Sequence, residues 1–505
     1  MSPSSHPAGH SEIRVPICQK SARKAAWSWV SHLVFSLTLA LQGCATRSSA
    51  LATPQVKAPA QWHTALPHGG QLTDLQQWWS QFDDPLMLRL IQAAQLASPS
   101  LAQAASNIAE ARAARVASGS ALLPTLDIAA NLARERSVPA TPASAVSSVG
   151  LQAGWELDLF GANRAGVDAA TARLSSSQAD WHDARVSVAA EVARNYVDLR
   201  ECEAHVQQAE LDADSRAQTY RITALAAAAG IQAPATTELA RASAAQGRLA
   251  LVTQMTQCGL LIKALVALTA MDEPELRRQL AERSAQLPQP TEFGVSTIPA
   301  EVLAQRPDVL AAAQNLAAAG AASAQADAQR WPRVTLAGDI GAASLTSAGV
   351  STDGTVWRIG PVVITFPLFD GGTRHARAQA AKVHYETAST VYAARLRIAI
   401  QEVEGALLTL ESTAQRSESA RIATGGFERS YRATEAGYHA GAGSLFELED
   451  ARRSLVAAQR TSIALRRERL LAWIALYRSV GGGWTPTSSS HAVDPAGPKP
   501  STPTR

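Results

Sequence analysis

The residues of this 505-residue chain whose types and spacing could do chemistry gather at two places. At the first, Lys20, Arg23 and Lys24 precede an apolar run from Ala25 to Ala40, and Leu41-Gln42-Gly43 then lead into Cys44, whose thiol could carry an acyl group. At the second, a glycine-rich interruption at Gly437, Gly441 and Gly443 leads into Phe446, Glu449, Asp450 and Arg453. Taken alone, Glu449 and Arg453 stand at i and i+4 on a solvated helix face, a pair worth about 0.2–0.5 kcal/mol. The sequence contains no HExxH, no phosphate-cradling GxxxxGK, no GxSxG and no paired Cys/His metal spacing. Its 11 histidines are scattered, and His182, His205, His375, His384 and His439 are expected on helix surfaces. No catalytic activity and no metal or other cofactor is expected.

The elements that must position these residues occur twice. Trp155-Glu156-Leu157-Asp158-Leu159-Phe160-Gly161 returns as Phe366-Pro367-Leu368-Phe369-Asp370-Gly371-Gly372. A proline-led apolar segment precedes each copy, Leu123-Pro124-Thr125-Leu126 and Trp331-Pro332-Arg333-Val334. Each copy is followed by a long alanine-rich stretch, a break (Gly230 in the first half) and a second helical stretch. From Ala162 to about Ala229 there is no proline, so one helix there would run on the order of 100 Å. The spacings Val192, Tyr196, Leu199 and Val403, Leu407, Leu410 mark a narrow seam, as in helices packed side by side as coiled coils.

Before those helices, Val149, Leu151, Ala153, Trp155 and Leu157 alternate with polar or small residues, and Leu126, Ile128, Ala130 and Leu132 do the same. Val334, Leu336, Gly338 and Ile340 repeat the pattern, whereas Trp357 to Phe366 is blurred by Pro361. The sum is four strands of membrane-crossing length. Two architectures remain open at this point: soluble hairpins capping a helical domain, or strands pooled between copies, because the smallest membrane barrels need about eight. No uninterrupted apolar run of 18 residues follows Cys44, so a membrane-crossing form would have to be a closed barrel.

Composition narrows the classes. Charged residues make up 18% and the net charge is +3, which leaves no basic field for nucleic acid. Of four cysteines, Cys18 lies in the leader and Cys44 at the acyl site; Cys202 and Cys258 are expected as buried small apolar residues rather than a bridge. The ending Leu41-Gln42-Gly43-Cys44 resembles a bacterial lipobox, which makes 1–43 a lipoprotein signal peptide. The stretch before Lys20 is long for such a signal and points to a start codon downstream of Met1.

Over roughly Leu72 to Trp484 the chain resembles the TolC-type outer-membrane efflux factors, in the lipoprotein branch that includes OprM and NodT. The motifs that carry the resemblance are Trp79 with Phe82-Asp83-Asp84-Pro85-Leu86, the two repeated segments above, Arg306-Pro307-Asp308-Val309, and Ala475-Leu476-Tyr477-Arg478-Ser479-Val480-Gly481-Gly482-Gly483-Trp484. Departures are Ala313, where a glutamate is usual, Thr269-Ala270, where Leu-Gly is usual, and a Pro/Ser-rich tail from Thr485 to Arg505.

The resemblance implies a mostly helical fold with a membrane β-barrel: a duplicated strand-strand-long-helix unit, trimeric, with twelve strands in one outer-membrane barrel continued by a periplasmic α-helical tunnel. The divisions expected are a signal peptide (1–43), a lipid-anchored linker (44–70), a first repeat (71–285), a second repeat (286–484) and a disordered tail (485–505). It further implies a homotrimer, a periplasmic adaptor and an inner-membrane pump as partners, a lipid on Cys44, and passive conduction of small molecules to the outside. In relatives, residues at the places of Phe446, Asp450 and Arg453 line a periplasmic constriction, where threefold symmetry would turn one carboxylate per chain into a ring of three. Gly230, Glu238 and Arg241 at the first break, with Gly441 and Glu449 at the second, are candidate adaptor or gate contacts. The alternative is a lipid-anchored periplasmic coiled-coil scaffold without a channel.

Overall fold

Proline and glycine punctuate the chain at matching places in the two halves of the computed structural model, which describes residues 75–136, 142–288, 303 and 306–482. The expected signal peptide, Cys44, the expected linker and the C-terminal tail lie outside the described residues. A 3₁₀ segment, Leu75–Phe82, leads into α1 (Pro85–Ala97) and α2 (Pro99–Ser120). Then come β1 (Thr125–Glu135), β2 (Ser144–Leu157), α3 (Ala162–Ala228), α4 (Pro234–Thr269) and α5 (Glu273–Ala281). The second half has α6 (Pro307–Ala328), β3 (Arg333–Ser347), β4 (Val350–Thr365), α7 (Thr373–His439) and α8 (Leu445–Ser479). The long helices α3 and α7 have 67 residues each, on the order of 100 Å.

The repeated motif is a strand-to-helix corner. Gly161 and Gly372 take positive φ (77° and 82°) at the N-caps of α3 and α7, a conformation glycine adopts without a Cβ clash. The nearby aspartates satisfy the first free N–H groups of each helix. Asp158 accepts from the backbone of Asn163 (3.0 Å) and Arg164 (2.9 Å), and Asp370 from that of Gly372 (3.0 Å) and Arg374 (3.1 Å). Burial pushes the Asp158 carboxyl up, but the N–H groups of Arg164 and Asn163 outweigh it and hold the group below its ordinary value. Asp84 caps α1, accepting from Leu86 and Met87, with Pro85 in the first turn.

The four strands form one antiparallel sheet in the order β1-β2-β3-β4. Cross-strand partners share a face, and Ile128, Leu151, Ile340 and Trp357 form an apolar row across all four strands. The adjacent row, Asp127, Gln152, Asp339 and Arg358, is polar, with Arg358 donating to Asp339 at 2.8 Å. Strand β4 starts earlier than the sequence pattern suggests, and Pro361, which has no N–H for the ladder, sits at a register shift opposite Leu336/Gly338. At the junction of the halves, Gly150 lies opposite Gly341, and a Cβ on Gly150 would come within 2.7 Å of the Ile340 carbonyl oxygen. The backbones approach too closely there for a side chain.

The main core lies away from the sheet, where α3 and α7 meet the ends of α4 and α8. The seam residues Val192, Tyr196, Leu199, Val403, Leu407 and Leu410 are all buried in it. Trp78 and Trp79 close this core against Tyr477, with ring centroids 5.4 and 4.5 Å away. At its edge Arg200 is fully buried, donating to the Tyr196 hydroxyl (3.0 Å) and the Leu280 carbonyl (2.9 Å). The expectation for the two inner cysteines fails: Cys202 and Cys258 form a disulfide between α3 and α4, with Cα atoms 5.5 Å apart. Both lie within helices, and sequence spacing does not show which faces of two antiparallel helices meet. A bridge closing a loop of this size contributes about 2–4 kcal/mol.

Candidate functional site at the paired helix breaks

Both long helices end in the same kind of turn. Gly230 (φ 72°) follows α3 and Gly441 (φ 77°) follows α7, the left-handed C-terminal geometry in which glycine is favoured. Gly437, placed in the break by sequence pattern, is still inside α7. Helix α8 then starts with a capping box: the Ser444 hydroxyl accepts from the Glu447 N–H (3.2 Å) and the Glu447 carboxylate from the Ser444 N–H (2.8 Å).

Two faces of α8 leave this start with different fates. The inner face carries Leu445, Leu448, Arg452 and Leu455, all buried, at the three- and four-residue spacing of a coiled-coil seam. Arg452, only 2% exposed, takes the place of an apolar residue. It pairs with Glu449, donates to the Ser215 (3.1 Å) and Thr219 (3.0 Å) hydroxyls of α3, and lies 5.7 Å over the Tyr431 ring. The second Glu449 oxygen accepts from Arg216 (3.0 Å), which also donates to Asp212 (2.8 Å) and to Ser243 of α4 (2.8 Å). Tyr438 of α7 meets Thr223 hydroxyl to hydroxyl at 2.8 Å. This polar seam ties the second helical hairpin to the first.

The outer face carries Phe446, Asp450 and Arg453. Phe446 is 68% exposed, and Arg453 donates to Asp450 at 2.9 Å, both side chains about two-thirds exposed. The structure therefore brings these three together on one open helix face. It corrects the surface pairing of Glu449 with Arg453: Glu449 is turned inward to Arg216 and Arg452, because those two guanidiniums are desolvated and need its charge. At the first break, Glu238 and Arg241 form a long pair (3.8 Å), both strongly exposed on α4.

Sequence reasoning missed Arg452, Arg216 and Tyr431. The signal for Arg452 was available: it continues the spacing Leu445, Leu448 and Leu455, and a charged residue in such a seam needs a buried partner. The Arg306-Pro307-Asp308 motif is a second buried-charge site. Arg306 grips Asp308 with two hydrogen bonds (3.0 and 2.8 Å), reaches Glu402 of α7 (2.7 Å) and donates to the Ser479 carbonyl (2.9 Å). Burial pushes Asp308 up, but Arg306 beside it wins and holds it below its ordinary value. Its stabilising contribution is present above the ordinary carboxylate range and is lost as pH falls through the lowered value.

His375, His384 and His439 are exposed as expected, while His182 and His205 are half-buried. Burial, aided by Arg185, lowers His182 to about 4, so it is neutral near pH 7. No cluster of three or more His, Cys, Asp or Glu able to hold a metal ion occurs among the described residues.

The sequence profile described as outer membrane efflux protein matches residues 90–272 and 298–482. The pyoverdine export outer membrane protein OpmQ of Pseudomonas aeruginosa is 26% identical over 467 residues, spanning 89% of this chain and 96% of the relative. Nodulation protein T of Rhizobium leguminosarum bv. trifolii is 25% identical over 462 residues, spanning 90% and 97%. Among solved structures, the outer-membrane channel OprN is similar with a TM-score of 0.75 at 24% identity, over 86% of this chain and 99% of that one. The open-state MtrE outer membrane channel of Neisseria gonorrhoeae is similar with a TM-score of 0.68 at 26% identity, over 86% and 98%.

Proposed function

Because the chain belongs to the outer membrane efflux protein family and acts as an outer-membrane exit duct, we propose that three copies close one twelve-stranded barrel whose lumen continues between the long helices. The observation that carries this is the four-stranded sheet with two free edges. Its Ile128-Leu151-Ile340-Trp357 face is exposed in the single chain. Four strands cannot close, and open strand edges are not left in hydrocarbon. Helix α4 fits the same reading. It is the single helix among the described residues long and apolar enough to span a membrane by composition. Its exposed Leu249, Val252, Met255 and Leu260 would instead be covered by a neighbouring copy. In detergent the protein is expected to be a trimer by mass that runs as a heat-modifiable oligomer on gels. A folded monomer would defeat the shared barrel and return the chain to a periplasmic scaffold role.

In this reading the duct takes small molecules from an inner-membrane pump through a periplasmic adaptor. The adaptor meets the helix turns around Gly230, Glu238, Arg241 and Gly441, and the exposed face of Phe446, Asp450 and Arg453 lines the constriction around the threefold axis. No catalytic step or resident cofactor is part of it.

The proposed anchor is a lipid on Cys44, with 1–43 removed as a signal peptide, 44–70 as the linker and the two repeats bounded as set out above. Ala45, rather than an aspartate, follows the cysteine, which favours sorting to the outer membrane. Cys44→Ser is expected to abolish incorporation of labelled fatty acid and leave the signal uncleaved. Full labelling of that variant would remove the anchor.

A further inference from the structure

We propose that the groove between α3, α7 and α8, beside the polar seam, binds a primary organic amine. The ammonium group sits at Glu435, Asp212 and Gln208, and the apolar chain lies along Leu211 and Leu455. The groove is built by one chain, and its ligand does not depend on the shared barrel.

The groove has a volume of about 560 Å³, within the range of small-molecule sites. At the end nearer the helix breaks, the Tyr431 hydroxyl donates to Glu435 (2.6 Å) and lies 3.0 Å from the Ser215 hydroxyl. The charges of the seam itself cancel, because Arg216 and Arg452 are matched by Asp212 and Glu449. Glu435 has no ion pair among the described residues, so it leaves this end of the groove negative. Arg466 also lines the groove, but it stands on the order of 20 Å from Arg452 along α8.

Orphaned polar atoms on the groove residues give an independent indication of a ligand. Gln208 Oε1, Asp212 Oδ1 and Arg452 Nε are buried without a hydrogen-bond partner among the described residues. Gln208 is only 9% exposed, so bulk water does not serve it. Leaving such a group unmade costs free energy that a ligand would recover. The terminal torsions of Gln and Asp are soft, and a small rotation turns each oxygen from the wall into the groove. Two of the three orphans are acceptors and Glu435 is a third, so the ligand must bring donors and a positive charge. A primary ammonium brings one charge and three N–H groups. Beyond the polar end, the exposed Leu211 with Leu455 and Ile463 offers an alkyl chain apolar surface to cover.

The test is titration calorimetry of hexylamine into the full-length protein in detergent, with detergent alone as the blank. Saturable binding of one amine per chain is expected. Hexan-1-ol lacks the charge and hexyltrimethylammonium lacks the N–H groups, and each should bind at least about tenfold more weakly. Glu435→Gln removes the unmatched charge and should weaken hexylamine by a similar factor. Gln208→Leu removes an orphaned acceptor at similar volume. It should weaken binding several-fold while the empty protein melts at or above the wild-type temperature, which a purely structural role for Gln208 would not give. Arg466→Met, at the far end, should leave hexylamine binding unchanged. If one of the Glu435 and Gln208 variants does not fold, the other decides. No saturable heat, equal binding of either control compound, or wild-type affinity in the folded Glu435 and Gln208 variants overturns the amine site, whatever oligomeric state the mass reports.

Discussion

Arginine in place of Leu151 is expected to block assembly of the oligomer, while arginine in place of the adjacent Gln152 leaves it intact. Leu151 sits in the middle of the row Ile128, Leu151, Ile340 and Trp357, all of them exposed in the single chain and apolar on the face proposed to meet lipid. A guanidinium at the bilayer midplane of a barrel costs about 2–4 kcal/mol per chain, and a trimer would carry that cost three times. Leu336, between Trp155 and Val362 on the same face, should behave alike. Gln152 lies on the opposite face beside Asp127 and Asp339, where a cation enters a polar row that already holds Arg358. The measurement is the heat-modifiable oligomer band in outer-membrane fractions. Equal amounts of oligomer from Leu151→Arg and Gln152→Arg would mean that the two faces do not differ in environment, and the membrane assignment of the sheet would fail.

What could be read from sequence follows from the range of the interactions concerned. Strand positions and the span of α3 rest on periodicity and on the placement of proline and glycine, which are local; α3 matches the structure closely and so do the cores of β1, β2 and β3, whereas β4 starts seven residues before the Trp357 that the pattern marked. The roles of Asp158 and Asp370 were hidden in a repeat that was visible as a pattern, because capping needs the corner geometry to be known. The Cys202–Cys258 bridge and the Arg452-Glu449-Arg216 cluster depend on which faces of α3, α4 and α8 meet. Alanine-rich helices of this length offer many nearly equivalent faces, so sequence alone does not decide between them. For Glu449 the i+4 residue Arg453 is the wrong partner and the i+3 residue Arg452, with the distant Arg216, the right one, since local spacing cannot weigh a surface pair against two buried guanidiniums.

That sorting of α8 into two faces also sharpens the expectation for the constriction. Removing Asp450 and Arg453 together should raise resting conductance in planar bilayers without loosening the chain that carries them. Their mutual hydrogen bond, 2.9 Å long, joins two largely exposed side chains, and exposed pairs of this kind contribute about 0–1 kcal/mol, further reduced by salt. Helix α8 keeps its capping box and its buried seam, so Asp450→Ala, Arg453→Ala leaves the interior contacts of the hairpin in place. Any gain in current must then come from links or repulsions between copies around the threefold axis. Phe446→Ala, on the same open face, should add to the gain by widening an apolar ring. Arg452→Met serves as the interior control: it strips Glu449 of one partner and Ser215 and Thr219 of their donor, and so should weaken the packing of α8 on α3. Stability falls in that variant, whereas the outer-face variants should melt like the wild type. If conductance and ion selectivity of all the outer-face variants equal the wild type in intact trimers, Phe446, Asp450 and Arg453 are solvated surface and the constriction lies elsewhere.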